Sequence, residues 1–351
     1  MIDSRLFKHY QININKNLGI SKRCPRPFDT LLINKQGSCY LCECTAWLPQ
    51  SVGNIQTKSI EEILNAGIAD TLRGSIADGS YRYCNEKQCS YLLDARDATA
   101  PWPLTLPSQQ IRHVRLAIDD SCNLSCPSCR VKKVFLSSGR SLKTRIQMTD
   151  TVLKYLQLQS QPIHVHIGSD GDPFASLVYR HFMRRAEDMS HLSFSIQTNG
   201  LLIKQMHHRI KKIFSRLRTL NVSIDGATKH TYELLRQGGS YEKILDNLAF
   251  IKEIKKQYSF EFILHVVVQR DNYHEMQQMV DLAEQCGADR IWFNRITNWN
   301  THANFAELDV ADKNNAHHSQ YLEMLSKIKH RAASYDKRFI EMPTLVSKTF
   351  K

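Results

Sequence analysis

From about residue 111, the chain alternates between short apolar segments and longer segments with helical spacing. The apolar segments are rich in β-branched residues and end at turn residues such as Gly168, Asn199-Gly200 and Asp225-Gly226, which is typical of strands. The predicted strands are Val114–Ile118, Ile163–Ile167, Leu192–Gln197, Thr219–Ile224, Phe260–Val268 and Arg290–Phe293. The predicted helices between them are Thr149–Leu158, Ser176–Met189, Leu202–Leu217, Tyr241–Lys256 and Tyr273–Gln285.

Strands that alternate with helices predict parallel βα units, and hence the α/β class. Periodicity alone does not separate an open doubly wound sheet from a partial barrel. In both architectures the active site lies at the carboxyl ends of the strands.

The first hundred residues follow another pattern. Thr30–Asn34, a turn at Gln36-Gly37 and Cys39–Cys44 predict a small hairpin. Ser59 followed three residues later by Glu62 predicts a capped helix start. The predicted domains are a cysteine-rich α+β module at 1–100, a proline-containing linker at 101–110, a core at 111–300 and a helical extension at 301–351, with a helix at about 313–335.

Composition indicates a globular protein, with 42% hydrophobic and 23% charged residues. We expect a cytoplasmic protein, because we see neither an apolar run that could cross a bilayer nor the apolar region of a secretory signal. The net charge of +13 permits binding to nucleic acid, anionic lipid or an acidic substrate. Nucleic acid is the less favoured partner, since the sequence has no aromatic–basic pattern of an RNA-binding module.

The ten cysteines are clustered. Six lie at positions 24, 39, 42, 44, 84 and 89, three lie at 122, 126 and 129, and Cys286 stands alone in a helix-to-strand segment. In a reducing compartment such clusters indicate metal binding before disulfides. Cys286 is predicted to be a small buried residue.

Cys122, Cys126 and Cys129 follow the first core strand within eight residues. A loop of this kind can supply thiolates to separate irons of a 4Fe–4S cluster. Three thiolates leave one iron open, and an open position marks a catalytic rather than a structural centre. The alternative on these residues is zinc, with a fourth ligand such as His113.

The spacing Cys122-x-x-x-Cys126-x-x-Cys129 after a first strand resembles the signature of the radical SAM superfamily. The resemblance covers about residues 111–300 and implies a partial (βα)6 TIM-like barrel, a 4Fe–4S cluster and S-adenosylmethionine. By the same resemblance the glycine-rich segment after the second strand holds the amino group of the cofactor, and a serine and an arginine after the fourth strand hold its carboxylate. The corresponding residues are Gly168, Ser169, Asp170, Gly171, Asp172, Ser223 and Arg236.

The segment at 168–172 departs from the commoner Gly-Gly-Glu form, with Asp172 in place of the acid and Asp170 able to share its role. Each match alone has a simpler explanation as a turn, a loop or a surface residue. Their occurrence at successive strand ends is what favours the cofactor interpretation.

The amino-terminal cysteines resemble the auxiliary-cluster modules known as SPASM or twitch domains, which usually follow the core rather than precede it. The resemblance implies one further 4Fe–4S cluster on Cys24, Cys42, Cys84 and Cys89, with Cys39 and Cys44 as alternatives or bystanders. A structural zinc site on the same four residues is the alternative, because zinc and iron–sulfur sites share thiolate ligands.

Together these features predict an enzyme that cleaves S-adenosylmethionine reductively and uses the 5′-deoxyadenosyl radical to take hydrogen from a substrate. The resemblance favours a peptide or protein substrate, ahead of a carbohydrate-like small metabolite and then RNA. It also implies a reductant such as flavodoxin or ferredoxin. A metal-binding regulatory or scaffold protein without turnover is the alternative from another class.

Overall fold

The structure is a computed structural model that describes residues 24–86, 88–89, 91–92, 110–335, 339–342 and 345. The predicted linker lies outside the described residues, apart from its last position, Gln110.

The chain divides into two compact units, each made of several sequence segments. The first unit consists of Met1–Asp119, Ser138–Ile167 and Asp188–Ser193. The second consists of Asp120–Ser137, Gly168–Glu187 and Phe194–Lys351.

Strands and helices alternate along the described residues. The strands are β1 (Thr30–Asn34), β2 (Ser38–Tyr40), β3 (Gly53–Asn54), β4 (His113–Ala117), β5 (Ile163–Ile167), β6 (Leu192–Thr198), β7 (Leu217–Ser223), β8 (Glu261–Val268), β9 (Arg290–Arg295) and β10 (Ile340–Glu341). The helices are α1 (Arg26–Asp29), α2 (Ile60–Leu64), α3 (Gly67–Ala77), α4 (Gly139–Gln157), α5 (Leu177–Ala186), α6 (Ile203–His207), α7 (Lys211–Phe214), α8 (Lys229–Leu235), α9 (Tyr241–Ile254), α10 (Met276–Gln285) and α11 (His318–Ala332). Two short 3-10 helices lie at Tyr273–Glu275 and Phe305–Glu307.

In the first unit, the predicted hairpin is present and belongs to a larger sheet. Strand β1 pairs antiparallel with β2 and parallel with β4, and β4 pairs parallel with β5. The β1–β4 register runs from Thr30 opposite His113 to Asn34 opposite Ala117. The first core strand is therefore held between the amino-terminal strand and β5, so its carboxyl end is fixed from both sides.

In the second unit, β6 from Phe194 onward pairs parallel with β7, and β7, β8 and β9 pair in parallel in that order. Strand β10 pairs parallel with β9. Their inward side chains are fully buried, for example Leu220, Phe262 and Phe293, as expected where helices cover a parallel sheet. All six predicted core strands are present within two residues at either end. The predicted α/β class is confirmed, and its parallel βα units are those expected of a partial barrel.

One predicted helix, Leu202–Leu217, is wrong. The segment forms two short helices, α6 and α7, and Leu217 already begins β7. Ile210 lies between the two helices in a non-helical conformation with φ −141° and ψ 41°, and its side chain is fully buried. Burial of this one residue outweighs the helical spacing of the segment.

Helix α4 begins at Gly139, ten residues before the predicted start at Thr149. The side chains of its first turns are mostly exposed. They show little of the helical spacing of apolar residues on which the prediction depended. The capped start at Ser59 is confirmed, since Ser59 N–H donates to Glu62 Oε2 at 2.7 Å and Glu62 N–H donates to Ser59 Oγ at 3.1 Å.

Among the described helices, we find none with the length and apolar composition needed to cross a bilayer.

Candidate functional site

The loop after β4 carries Cys122, Cys126 and Cys129. Cys122 and Cys126 are buried, and Cys129 is exposed. The loop is held at two points, because Cys122 N–H donates to the carbonyl of Val134 at 2.9 Å and Ser125 N–H donates to that of Gln237 at 3.0 Å. A single turn follows, in which Cys129 N–H donates to the carbonyl of Cys126 at 3.0 Å. The backbone thus sets the spacing of the three thiols.

Arg130 connects this loop to the glycine-rich loop after β5. Its Nη1 donates to the carbonyl of Asp120 at 2.7 Å, and its Nη2 donates to that of Asp170 at 2.5 Å. The same Nη2 lies 3.5 Å from Cys129 Sγ. A guanidinium with several N–H groups is suited to holding two loops at once.

Asp172 organises the glycine-rich loop from the inside. Its carboxylate is 2% exposed and accepts four hydrogen bonds. Oδ1 accepts from the N–H groups of Phe174 and Ala175 at 3.0 and 3.1 Å. Oδ2 accepts from Thr198 Oγ1 at 2.7 Å and Asn199 N–H at 2.8 Å. Burial raises the pKa of Asp172, and these four donors offset part of that effect.

Those four bonds use the acceptor capacity of the Asp172 carboxylate. They join the loop after β5 to the end of β6, so Asp172 holds the cleft wall in place. Asp172 and Asp170, the two acids of the predicted cofactor-binding segment, therefore lie in different environments: Asp172 is buried and Asp170 is exposed.

At the end of β7, Ser223 is buried beside a buried ion pair. Asp225 Oδ2 lies 2.8 Å from Arg236 Nη2, and the two side chains are 2% and 12% exposed. Arg236 Nη1 lies 3.9 Å from Cys126 Sγ, while its Nε is buried and has no hydrogen-bond partner among the residues that the structure describes. Although burial acts to lower the pKa of Arg236, the charges of Asp225 and Cys126 raise it, so the guanidinium stays cationic beside the thiol.

All ten predicted residues of the core site line one cleft. Gln197, Thr198 and Asn199, from the end of β6, complete its wall. Asn199 Nδ2 lies 3.7 Å from Cys122 Sγ and donates to Asn123 Oδ1 at 2.9 Å. The cleft thus brings together the ends of several strands, as the sequence predicts for the active site.

The chemistry of this cleft fits an iron–sulfur cluster. Burial raises the pKa of Cys122 to about 11, and burial also raises the pKa of Cys126 despite the nearby Arg236. Buried thiols of this kind ionise when they bind a metal. Arg130 and Arg236 lie against two of the sulfurs and can offset the negative charge of a thiolate-bound cluster.

A second cavity, in the first unit, is lined by the four cysteines predicted for the auxiliary site: Cys24, Cys42, Cys84 and Cys89. It is otherwise largely apolar, with Trp47, Ile76 and Leu92 among its lining residues. Burial raises the pKa of Cys24 to about 12, and the neighbouring Cys42 and Cys89 add to the rise. All four thiols thus line one cavity, as the ligands of one cluster must.

The remaining cysteines, Cys39, Cys44 and Cys286, line neither of these two cavities. Cys39 is fully buried in β2, with its Sγ 3.9 Å from the carbonyl of Gly37, and burial alone raises its pKa to about 12. Cys44 lies near the auxiliary thiols, since its charge contributes to the raised pKa of Cys89. Cys286 is 6% exposed, as predicted. Within the described part of the chain, no three His, Cys, Asp or Glu side chains are grouped so that they could hold a single metal ion.

Sequence reasoning missed Arg130, Asn199 and Asp225 as members of the core site. Arg130 directly follows the third cysteine, and this adjacency is a usable signal. Asn199 and Asp225 each precede a glycine and are interpreted from sequence only as turn residues.

Comparison with known families gives two matches. Residues 118–283 match the model described as "Radical SAM superfamily". Residues 24–90 match the model described as "Iron-sulfur cluster-binding domain", called SPASM. The second match lies before the first in the chain, in the order that the cysteine pattern predicts. The predicted S-adenosylmethionine agrees with the first family, and the predicted 4Fe–4S clusters agree with both.

Curated relatives match over part of their length. A GTP 3′,8-cyclase from Limosilactobacillus fermentum is 26% identical over 140 residues, which are 39% of this chain and 40% of that protein. An AdoMet-dependent heme synthase from Nitratidesulfovibrio vulgaris is 25% identical over 197 residues, which are 54% of this chain and 50% of that protein. The chain therefore spans half or less of each of these relatives.

Among solved structures, SuiB of Streptococcus suis bound to the precursor peptide SuiA is similar to this chain with a TM-score of 0.45 and 12% sequence identity. The similarity covers 80% of this chain and 64% of that one.

Proposed function

We propose that this chain, which belongs to the radical SAM superfamily and carries an iron–sulfur cluster-binding domain ahead of its core, cleaves S-adenosylmethionine reductively. The observation that carries the proposal is the cleft in which Cys122, Cys126 and Cys129 meet Ser223 and Arg236. Cys122, Cys126 and Cys129 would hold the cluster, and the chemistry that it would supply when bound is one-electron reduction of S-adenosylmethionine with cleavage of its carbon–sulfur bond to a 5′-deoxyadenosyl radical.

The protein's own groups bind and orient. In this proposal Cys122, Cys126 and Cys129 hold the cluster, while Arg236 and Ser223 hold the carboxylate of the cofactor. Within the described part of the chain, the buried Nε of Arg236 has no hydrogen-bond partner, so this donor supports a contact with that carboxylate. The loop at 168–172 holds the amino group, and Asp172 keeps this loop in position through its bonds to Thr198 and Asn199.

The first experiment measures release of 5′-deoxyadenosine from S-adenosylmethionine by the anaerobically reconstituted full chain with dithionite. We expect release by the parent and by Cys286→Ala, because Cys286 lies outside both cysteine sites. We expect none from the triple variant C122A/C126A/C129A. A brown, cluster-loaded parent that leaves the cofactor intact would contradict the proposal and favour a metal-binding scaffold.

We further propose that Cys24, Cys42, Cys84 and Cys89 hold one auxiliary 4Fe–4S cluster. Support comes from their shared cavity and from the match of residues 24–90 to an iron–sulfur rather than a zinc domain. The triple variant above should then retain about half the iron of the parent, roughly four irons per chain as expected for one such cluster. Zinc in its place would contradict this assignment.

For the substrate, we propose a peptide or protein. Radical SAM enzymes with auxiliary-cluster modules often modify peptides, and the match of residues 24–90 supports such a module. The test is a mass change in a candidate peptide that requires both S-adenosylmethionine and the three core cysteines.

A small metabolite is the second candidate, because the curated relatives are named as a GTP cyclase and a heme synthase. If GTP or another small metabolite, rather than peptide, accelerates release of 5′-deoxyadenosine, this candidate replaces the first. For the reductant we propose a flavodoxin or ferredoxin, tested by replacing dithionite with either protein and its reductase.

A further inference from the structure

One positive charge lies inside the auxiliary cysteine cavity. Arg26 lines this cavity together with Cys24, Cys42, Cys84 and Cys89. Its Nη2 lies 3.1 Å from Glu43 Oε2, and its guanidinium lies over the ring of Trp47 at 5.1 Å from the centroid. These two contacts fix the orientation of the guanidinium.

One end of this guanidinium has no acceptor. Arg26 Nη1 is buried and has no hydrogen-bond partner among the described residues. Buried polar atoms are nearly always paired, so each exception calls for an explanation. The cavity that Arg26 lines is otherwise formed by the four cysteines and by mainly apolar and aromatic side chains. A sulfur-rich metal group in this cavity would supply the missing acceptor.

Arg26 is part of the same cavity wall as the thiols. It follows Cys24 by two residues in the chain, and both residues line the cavity together with Cys42, Cys84 and Cys89.

Charge decides how readily an iron–sulfur cluster accepts an electron. A cluster bound by four thiolates is already anionic, and reduction adds one more negative charge in a cavity of low dielectric. A nearby cation stabilises the reduced state more than the oxidised state, because Coulomb attraction grows with the charge of the cluster. Net charge and hydrogen bonds to the sulfurs are two established determinants of the potential.

We propose that Arg26 tunes the auxiliary cluster, supplying a positive charge and a free N–H donor that raise its reduction potential. This inference rests on the proposed cluster at Cys24, Cys42, Cys84 and Cys89. Glu43 opposes the effect, since its carboxylate partly neutralises Arg26. Arg26 and Glu43 thus form a pair whose members move the potential in opposite directions.

The experiment measures the midpoint potential of the auxiliary cluster by redox titration with EPR detection. It uses the full chain with C122A/C126A/C129A as the parent, so that only this cluster contributes. We expect Arg26→Gln to shift the potential to more negative values and Arg26→Lys to stay close to the parent. We expect Glu43→Gln to shift the potential to more positive values. Arg140→Gln removes an equal charge from an exposed position of the same unit, and we expect no shift.

Iron content distinguishes an error in the proposed auxiliary site from an error in the proposed role of Arg26. If the parent holds no cluster, the proposed auxiliary site itself is wrong. If Arg26→Gln retains the iron of the parent and its potential is unchanged, the role of Arg26 is wrong while the site stands. If Arg26→Gln does not assemble the cluster, the Glu43→Gln variant provides the test, because it retains Arg26. An unchanged midpoint potential in Glu43→Gln would also overturn the inference.

Discussion

Arg236 and Asp225 form a buried ion pair beside the second cysteine of the core loop, with Nη2 and Oδ2 2.8 Å apart. Asp225 is held in turn by the backbone, since its Oδ1 accepts from Val267 N–H at 2.9 Å. The pair therefore ties the segment after β7 to β8 and places a cation 3.9 Å from Cys126 Sγ. The position of Arg236 therefore depends on the carboxylate of Asp225, which does not belong to the cysteine motif.

We predict that Asp225→Asn lowers the free energy of unfolding by about 3–5 kcal/mol, because it leaves the buried Arg236 without a compensating charge. The measurement is denaturant unfolding of the variant and the parent under the same anaerobic conditions. Asp246→Asn is the matched control, since Asp246 and Lys204 form an exposed pair and should contribute less than about 1 kcal/mol. Equal effects of the two variants would show that burial of the Arg236 pair is unimportant.

The two acids of the glycine-rich loop should behave differently. Asp172→Asn replaces an acceptor of four hydrogen bonds with an amide that must present an NH₂ group to some of those donors. We expect it to lower the free energy of unfolding by about 2–3 kcal/mol. Asp170→Asn changes an exposed side chain and should shift this free energy by less than about 0.5 kcal/mol.

Binding of S-adenosylmethionine separates these roles further. If Asp170 rather than Asp172 contacts the cofactor, Asp170→Asn should weaken binding in isothermal titration while leaving stability unchanged. Weakened binding with Asp172→Asn at full stability would contradict its structural role.

Gly168 permits a close approach that a side chain would prevent. Its φ is +96°, and a Cβ would lie 2.5 Å from the carbonyl oxygen of Gln197 and 2.7 Å from Pro173 Cγ. We expect Gly168→Ala to cost more than about 2 kcal/mol of unfolding free energy, since left-handed strain of about 1–2 kcal/mol is joined by a backbone clash. Gly139→Ala is the control, because Gly139 has a φ of +88° but open space around its Cα.

The difference between the Gly168 and Gly139 variants isolates the clash, since both glycines carry a similar φ. Thermal unfolding followed by circular dichroism measures this difference. Similar melting temperatures for the two would show that the cleft wall yields to the extra methyl group.

His265 should make the protein sensitive to mild acid. Burial lowers its pKa to about 4; Asp225 opposes this shift, and Arg236 adds to it. The folded protein therefore holds His265 neutral where the unfolded chain, with an ordinary pKa of about 6.5, takes up a proton. The resulting stabilisation is complete above about pH 6.5 and is lost as the pH falls toward 4.

Between pH 7 and pH 5 we expect the parent to lose about 1–2 kcal/mol more unfolding free energy than His265→Gln, which cannot take up the proton. Urea unfolding at both pH values measures the difference. Parallel losses in the two proteins would show that His265 does not carry this pH dependence.

The sequence predicts those features of the site that depend on residues close together in the chain. The strand ends are local, so the positions of Ile163–Ile167 and of the cysteine loop agree with the periodicity of the chain. The interruption of the predicted helix at Ile210 is different. Ile210 is fully buried in the folded protein, and the helical spacing within Leu202–Leu217 gives no indication of its non-helical conformation. Likewise, Asp172 and Asp170 are equivalent in sequence, and only their surroundings separate them.

The sequence by itself determined the chemistry available to this protein: three spaced thiols after a strand, six more ahead of it, and a parallel α/β framework to hold them. These properties depend on residue type and spacing, which are written along the chain. The tertiary structure alone decided that Arg236 lies beside Cys126 and that Arg26 shares a cavity with Cys42, Cys84 and Cys89. These residues are separated in sequence, and burial sets the strength of their interactions, so the pairings exist only once the chain has folded.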